Sequence, residues 1–106
     1  MQRQPAIVSC LTNSYGRFGA RAAIEHVRDA GIGHVELPIG TAGTDSMFGD
    51  QPLVTTESTA ADLEAVGRLL ADHDVALSSC NVTSGNPLDP DVRDITKRKL
   101  DLAADL

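Results

Sequence analysis

Glu36 interrupts the apolar run His34-Val35-Glu36-Leu37-Pro38-Ile39, and a carboxylate inside such a run is the strongest chemical signal in the chain. Successive side chains of a strand point to opposite faces, so Glu36 is turned away from Val35 and Leu37. A carboxylate placed there can hold a substrate hydroxyl or orient a metal-bound water. Its structural use is a buried pair with an Arg or Lys of a neighbouring strand, because an unpaired buried charge is costly. Asn13 and Ser14 follow the first apolar run, and Asn81, Ser84 and Asn86 surround a later one; their donors and acceptors suit polyhydroxy substrates. The same residue types also make Asx turns and caps. Tyr15 and Phe18 can wall a sugar ring or pack their loop against the helix that follows.

Other reactive groups do not converge. His26, His34 and His73 fall mid-helix, at a strand entry and at a helix end, and no metal site is expected of them. Cys10 and Cys80 are too few for a disulfide framework and lack the close spacing of structural zinc, so reduced thiols are expected. Gly16, Gly19, Gly31 and Gly33 do not have the spacing of a dinucleotide fingerprint. The run Lys97-Arg98-Lys99 is balanced by Asp89, Asp91, Asp94, Asp101 and Asp105 and reads as a solvated helix face. With a net charge of -6, nucleic acid is disfavoured as a partner, since phosphate binding needs clustered cations. No stretch reaches the ~20 apolar residues of a membrane span and no signal peptide is evident, so a cytoplasmic protein with no membrane partner is expected.

The elements that must position these groups follow from period and punctuation. At 42% apolar and 23% charged residues the chain is of ordinary globular composition and should pack a core. Its 106 residues are enough for one domain. Ala6-Ile7-Val8-Ser9-Cys10-Leu11 reads as a buried strand. From Gly19, the residues Ala20, Ala23, Ile24, Val27 and Ala30 share one helical face up to Gly31, a C-terminal cap. Residues 34–39 form the second strand, and residues 40–57, rich in Gly, Thr, Asp and Pro, a long loop. Ser58 or Thr59 caps a second helix through Leu63, Val66, Gly67 and Leu70. Val75 to Val82 is the third strand, and a third helix runs from about Asp91 to the end.

Strand and helix therefore alternate three times, which implies parallel crossovers. Three parallel strands leave two open edges that a closed barrel would remove. The expected fold class is α/β, a partial TIM barrel made of its first three βα units, roughly two-fifths of the ~250 residues such a barrel takes. A small open parallel α/β sheet is the alternative. Residues 1–106 are then the amino-terminal fragment of the barrel, and Glu36 lies on its carboxyl-end face, where barrel active sites sit.

Three phrases extend this reading. Asp29-Ala30-Gly31-Ile32-Gly33-His34-Val35-Glu36-Leu37, Gly85-Asn86-Pro87-Leu88-Asp89-Pro90 and Leu100-Asp101-Leu102-Ala103-Ala104-Asp105-Leu106, in this order, resemble the sugar phosphate isomerase/epimerase family, the xylose isomerase-like TIM barrels. The resemblance implies a metal-dependent enzyme that interconverts sugars or sugar phosphates by proton transfer next to a carbonyl. It implies a divalent metal held by later strands of the full-length enzyme, none within this segment, and a fragment inactive alone. Glu36, Asn81, Asn86, Ser84 and Asn13 would be its substrate contacts. Relatives with the Gly-Asn-Pro-Leu loop often carry histidines where this chain has Ser84 and Asp89, so no imidazole role is carried over. The competing expectation is a non-catalytic sugar-binding module or a homo-oligomer assembled through its open edges.

Overall fold

The computed structural model describes residues 3–45 and 52–106. The order is β1 (Ser9–Leu11), α1 (Gly19–His26), β2 (His34–Gly40), β3 (Val54–Thr55), α2 (Ala60–Asp72), β4 (Ala76–Asn81) and α3 (Pro90–Asp105), with 3-10 turns at Thr12–Phe18 and Val27–Ala30 flanking α1. The strong alternation of β2 organises everything else. Val35, Leu37 and Ile39 are at most 2% exposed, while His34, Glu36 and Pro38 between them are only half-buried. One core joins that buried side to Ile24 and Val27 at and just beyond the end of α1, to Leu63, Val66, Leu69 and Leu70 of α2 and to Leu102 of α3. All three helices therefore cover a single face of the sheet.

His34, Val35 and Glu36 each have parallel partners in both β1 and β4. A strand has two edges, so β1 and β4 flank β2. Apart from the two-residue β3, which pairs with the end of β2, the long strands step β1, β2, β4 in one direction, and right-handed crossovers made in one direction put their helices on the same side. The result is an open parallel α/β sheet.

Three expectations are corrected. The run Ala6–Leu11 has strand composition, but the strand begins at Ser9, where the pairing with His34 of β2 starts; Ile7 and Val8 ahead of it are 67% and 65% exposed. The loop expected over 40–57 contains β3, which pairs with Ile39 and Gly40 of β2, although residues 46–51 of that loop lie outside the described residues. The first helix tightens into a 3-10 turn after His26, which shifts its phase and leaves Ala30 exposed rather than on the buried face. Gly31 still ends it, in the left-handed conformation at φ 78°.

The second helix starts as expected. Thr59 caps it, its hydroxyl accepting from the Asp62 N–H at 3.2 Å while the Asp62 carboxylate accepts from the Thr59 N–H at 2.7 Å. These bonds hold the Asp62 carboxyl below the usual carboxylate range. Thr59→Ala is expected to cost about 1 kcal/mol, whereas Leu37→Ala, which opens a cavity where all three helices meet the sheet, should cost roughly 2–5 kcal/mol. Urea denaturation of both variants checks the contrast; equal losses would contradict the placement of the core.

Candidate functional site

The uncovered face of the sheet is mixed, with Ser9, His34, Glu36, Ser79 and Asn81 beside the apolar Leu11, Pro38 and Ala76. Paired residues of parallel strands share a face, so Glu36 of β2 stands with Leu11 of β1 and Ser79 of β4, and Pro38 stands with Asn81. A bulge in β4 sets this parity: Val35 pairs with Leu77, but Glu36 pairs with Ser79, so Ser78 is the extra residue. Cys80 thereby pairs with Leu37 and packs toward the core.

This face is also concave. Ser9 and Ser78 belong to strands on opposite sides of β2, about 9.6 Å apart in a flat sheet, yet their hydroxyl oxygens are 2.6 Å apart. The Ser78 hydroxyl donates to the Val35 carbonyl at 3.0 Å, so the Ser9 hydroxyl is the donor to Ser78. Curling of the sheet toward this face, helped by the bulge, brings the two together.

At the carboxyl end of β2 and β4 a hollow of about 430 Å³ is lined by Glu36, Cys80, Asn81, Thr83, Ser84 and Thr96, among others. The Ser79 hydroxyl donates to Glu36 Oε1 at 3.0 Å and fixes the carboxylate. Neither Arg nor Lys pairs with Glu36 among the described residues, so it is held by a hydroxyl rather than in an ion pair. Asn81 Oδ1 accepts from the Thr83 N–H at 3.0 Å, which leaves its amide N–H groups as donors. Ser84 Oγ donates to the Val82 carbonyl at 3.0 Å and keeps its lone pairs for acceptance.

Three of the five expected contacts, Glu36, Asn81 and Ser84, thus meet in one hollow. The other two do not line it. Asn86 Oδ1 accepts from the Leu88 N–H at 3.0 Å in an exposed Asx turn. Asn13 sits half-buried in the 3-10 turn after β1, at the same end of the sheet but apart from the hollow. A groove of about 740 Å³ between α2 and α3, lined by Leu63, Gly67, Arg98 and Leu102, contains none of the expected contacts.

The basic run is solvated at Lys97 and Arg98 but not at Lys99. Lys97 is exposed, but Arg98 donates to the carbonyls of Thr56 and Ser58 at 3.2 Å each and ties α3 to the start of α2. Lys99 is 2% exposed, and its Nζ donates to the Thr83 carbonyl at 3.0 Å from beneath the lip of the hollow. The missed signal was spacing: Lys99 falls on the stripe Ile95, Lys99, Leu102, Leu106, where a buried side chain is expected whatever its charge. Ser79 and Cys80 were missed as neighbours of Glu36 because no sequence pattern announced the bulge.

The donor set does not fit a divalent cation. One carboxylate stands among hydroxyl, amide and thiol groups, and among the described residues no three His, Cys, Asp or Glu side chains come together. None of the described helices is long and apolar enough to cross a membrane. No protein-family model, curated protein or solved structure matches the chain.

Burial raises the Cys80 thiol above its ordinary range, and the Glu36 carboxylate raises it further. In a Cys10→Ser background, alkylation of Cys80 by iodoacetamide should accelerate only at a pH above that of free cysteine, and Glu36→Gln should lower that inflection. An inflection unmoved by the substitution would place Glu36 elsewhere. Burial holds Lys99 below its ordinary range. The unfolded chain therefore binds more protons between the folded value and ~10.4, and the contribution of Lys99 to stability rises as pH climbs through that window. Urea midpoints at pH 7 and 10 should show this rise in the native chain and a smaller one in Lys99→Met.

Proposed function

We propose that this chain forms the substrate-contacting first units of a barrel-type enzyme that acts on sugars or sugar phosphates, an isomerase or epimerase in which a proton moves next to a carbonyl. The observation that carries the reading is the hollow at the carboxyl end of a concave, parallel sheet, with the Glu36 carboxylate held by Ser79 beside Asn81 and Ser84. Parallel sheets are ordinarily covered on both faces by apolar packing. A face that instead carries the hydroxyl, amide and carboxylate groups of Ser9, Ser79, Asn81 and Glu36 among its residues offers partners to a hydroxyl-rich ligand. The one-directional strand order with helices on one face is the winding of a barrel rather than of a doubly wound sheet, whose order reverses at a switch point.

In this reading Glu36 accepts hydrogen bonds from two ligand hydroxyls, and the Asn81 amide donates to a neighbouring oxygen. Ser79 limits the carboxylate to one orientation, so little freedom is lost on binding. A proton shuttle across two carbons needs a second acid or base, and Glu36 is the single carboxylate lining the hollow among the described residues. The chain's own share is therefore to bind and orient the substrate, not to turn it over. No step here requires a metal.

The test is an NMR titration of the 106-residue chain with a panel of pentoses, hexoses and their phosphates. Saturable shifts should cluster at Glu36, Asn81 and Ser84, and Glu36→Gln should weaken binding about tenfold or more, as expected for loss of a charge-assisted hydrogen bond. Absence of saturable shifts in that cluster across the panel would sink the proposal.

A further inference from the structure

Lys99 is a buried charge without a counter-charge. Its ammonium carries three N–H donors, and among the described residues its one hydrogen bond is the 3.0 Å bond to the Thr83 carbonyl. No Asp or Glu among those residues stands within ion-pair distance of it, and burial alone holds it below its ordinary range, with no neighbouring carboxylate to raise it. An unpaired buried charge is costly. Tying a helix to a loop needs only a neutral donor, so the charge itself calls for an anion. At 2% exposure Lys99 offers no open surface for a ligand or another chain to touch, so an anion has to be felt through what the ammonium already holds.

It holds the peptide unit between Thr83 and Ser84. That unit is planar and trans, so the Ser84 N–H points away from the carbonyl that meets Lys99. A cation on the carbonyl oxygen polarises the whole unit and makes the N–H at its other end a stronger donor. Among the described residues this N–H has no acceptor. Ser84 lines the hollow together with Asn81, whose side-chain N–H groups are left to donate once its Oδ1 has accepted from the Thr83 N–H. Two unused donors, one of them backed by a buried cation, therefore border the same hollow.

We infer that the Ser84 N–H and the Asn81 amide form an oxyanion subsite at the lip of the hollow, with Lys99 as its buried positive backing, and that the ligand carries an acidic group there, a carboxylate or a phosphate. This deepens the reading proposed above and rests on it only for the hydroxylated body of the ligand. The two parts of the hollow then have opposite tasks. Glu36 accepts from hydroxyls and repels an anion, whereas the lip donates to one, so a ligand with both kinds of group is bound in a single sense. Lys99 acts through the peptide and is a positioning residue.

The experiment follows the amide NMR spectrum of the 106-residue chain at neutral pH as sodium sulfate is added, against sodium chloride at matched ionic strength. Saturable sulfate shifts should centre on the Ser84 N–H and the Asn81 side-chain amide. Lys99→Met should weaken sulfate binding at least about tenfold, as expected for loss of a nearby unit charge, and Lys99→Arg, which keeps the charge, should restore most of it. Should Lys99→Met lose its far-UV helical signal, Lys99→Gln takes its place. Glucose, gluconate and glucose 6-phosphate, titrated in turn, then identify the acidic group: tighter binding of either acid than of glucose supports the subsite and names the group. Equal binding of all three overturns the inference and leaves sugar binding at Glu36 standing. Sulfate shifts at Ser84 with no response of Glu36 to any sugar support the subsite and remove the sugar reading instead. A Ser84 that responds to sulfate no more than to chloride, or a folded Lys99→Met chain that binds sulfate like the native one, overturns the inference outright.

Discussion

Burial of one side of β2 is the constraint on which the structure depends. Val35, Leu37 and Ile39 gather apolar residues from every helix on one face, and the strand is hydrogen-bonded along both edges. With so much of the core on a single strand, the opposite face of the sheet is left without helical cover among the described residues. Polar residues there would weaken a sandwich or a doubly wound fold. On a concave surface they leave hydrogen-bonding groups facing water, and it is on these groups that the proposed sugar binding rests.

Much of this was legible in the sequence because it rests on period and punctuation. The alternation around Glu36, the Gly31 cap, the Thr59 cap and the order of strands and helices all appear where the pattern puts them. Departures arise where a neighbour decides. Ala6 to Val8 have strand composition but nothing opposite them, and Val54 and Thr55 have a partner that no local pattern announces. Propensity describes what a segment can do, and pairing decides whether it does.

The site divides in the same way. Glu36, Asn81 and Ser84 come together in one hollow because they lie on or just past the ends of neighbouring strands, whereas Asn13 and Asn86 share their residue types but are taken up by turns or set apart. Lys99 shows the opposite failure. Its charge suggested solvent, yet helical phase put it in the core side of α3, where its ammonium group meets the Thr83 carbonyl. Position on a helix outweighs chemical character when the stem is long enough to reach a backbone acceptor. The lip of the hollow is thus anchored from below by a buried ammonium group.

The bulge at Ser78 has an evolutionary consequence. Beyond it, β4 is displaced by one residue, and this displacement puts Ser79 and Asn81 on the side of Glu36 and Cys80 on the side of Leu37. The identity of the hollow is therefore written partly in the number of residues between Val75 and Asn81, not only in their types. A lineage could exchange serines and asparagines here one at a time and drift gradually in affinity. Loss or gain of a single codon would instead invert the strand's two faces at once, so descent in this segment should tolerate substitution and resist changes of length.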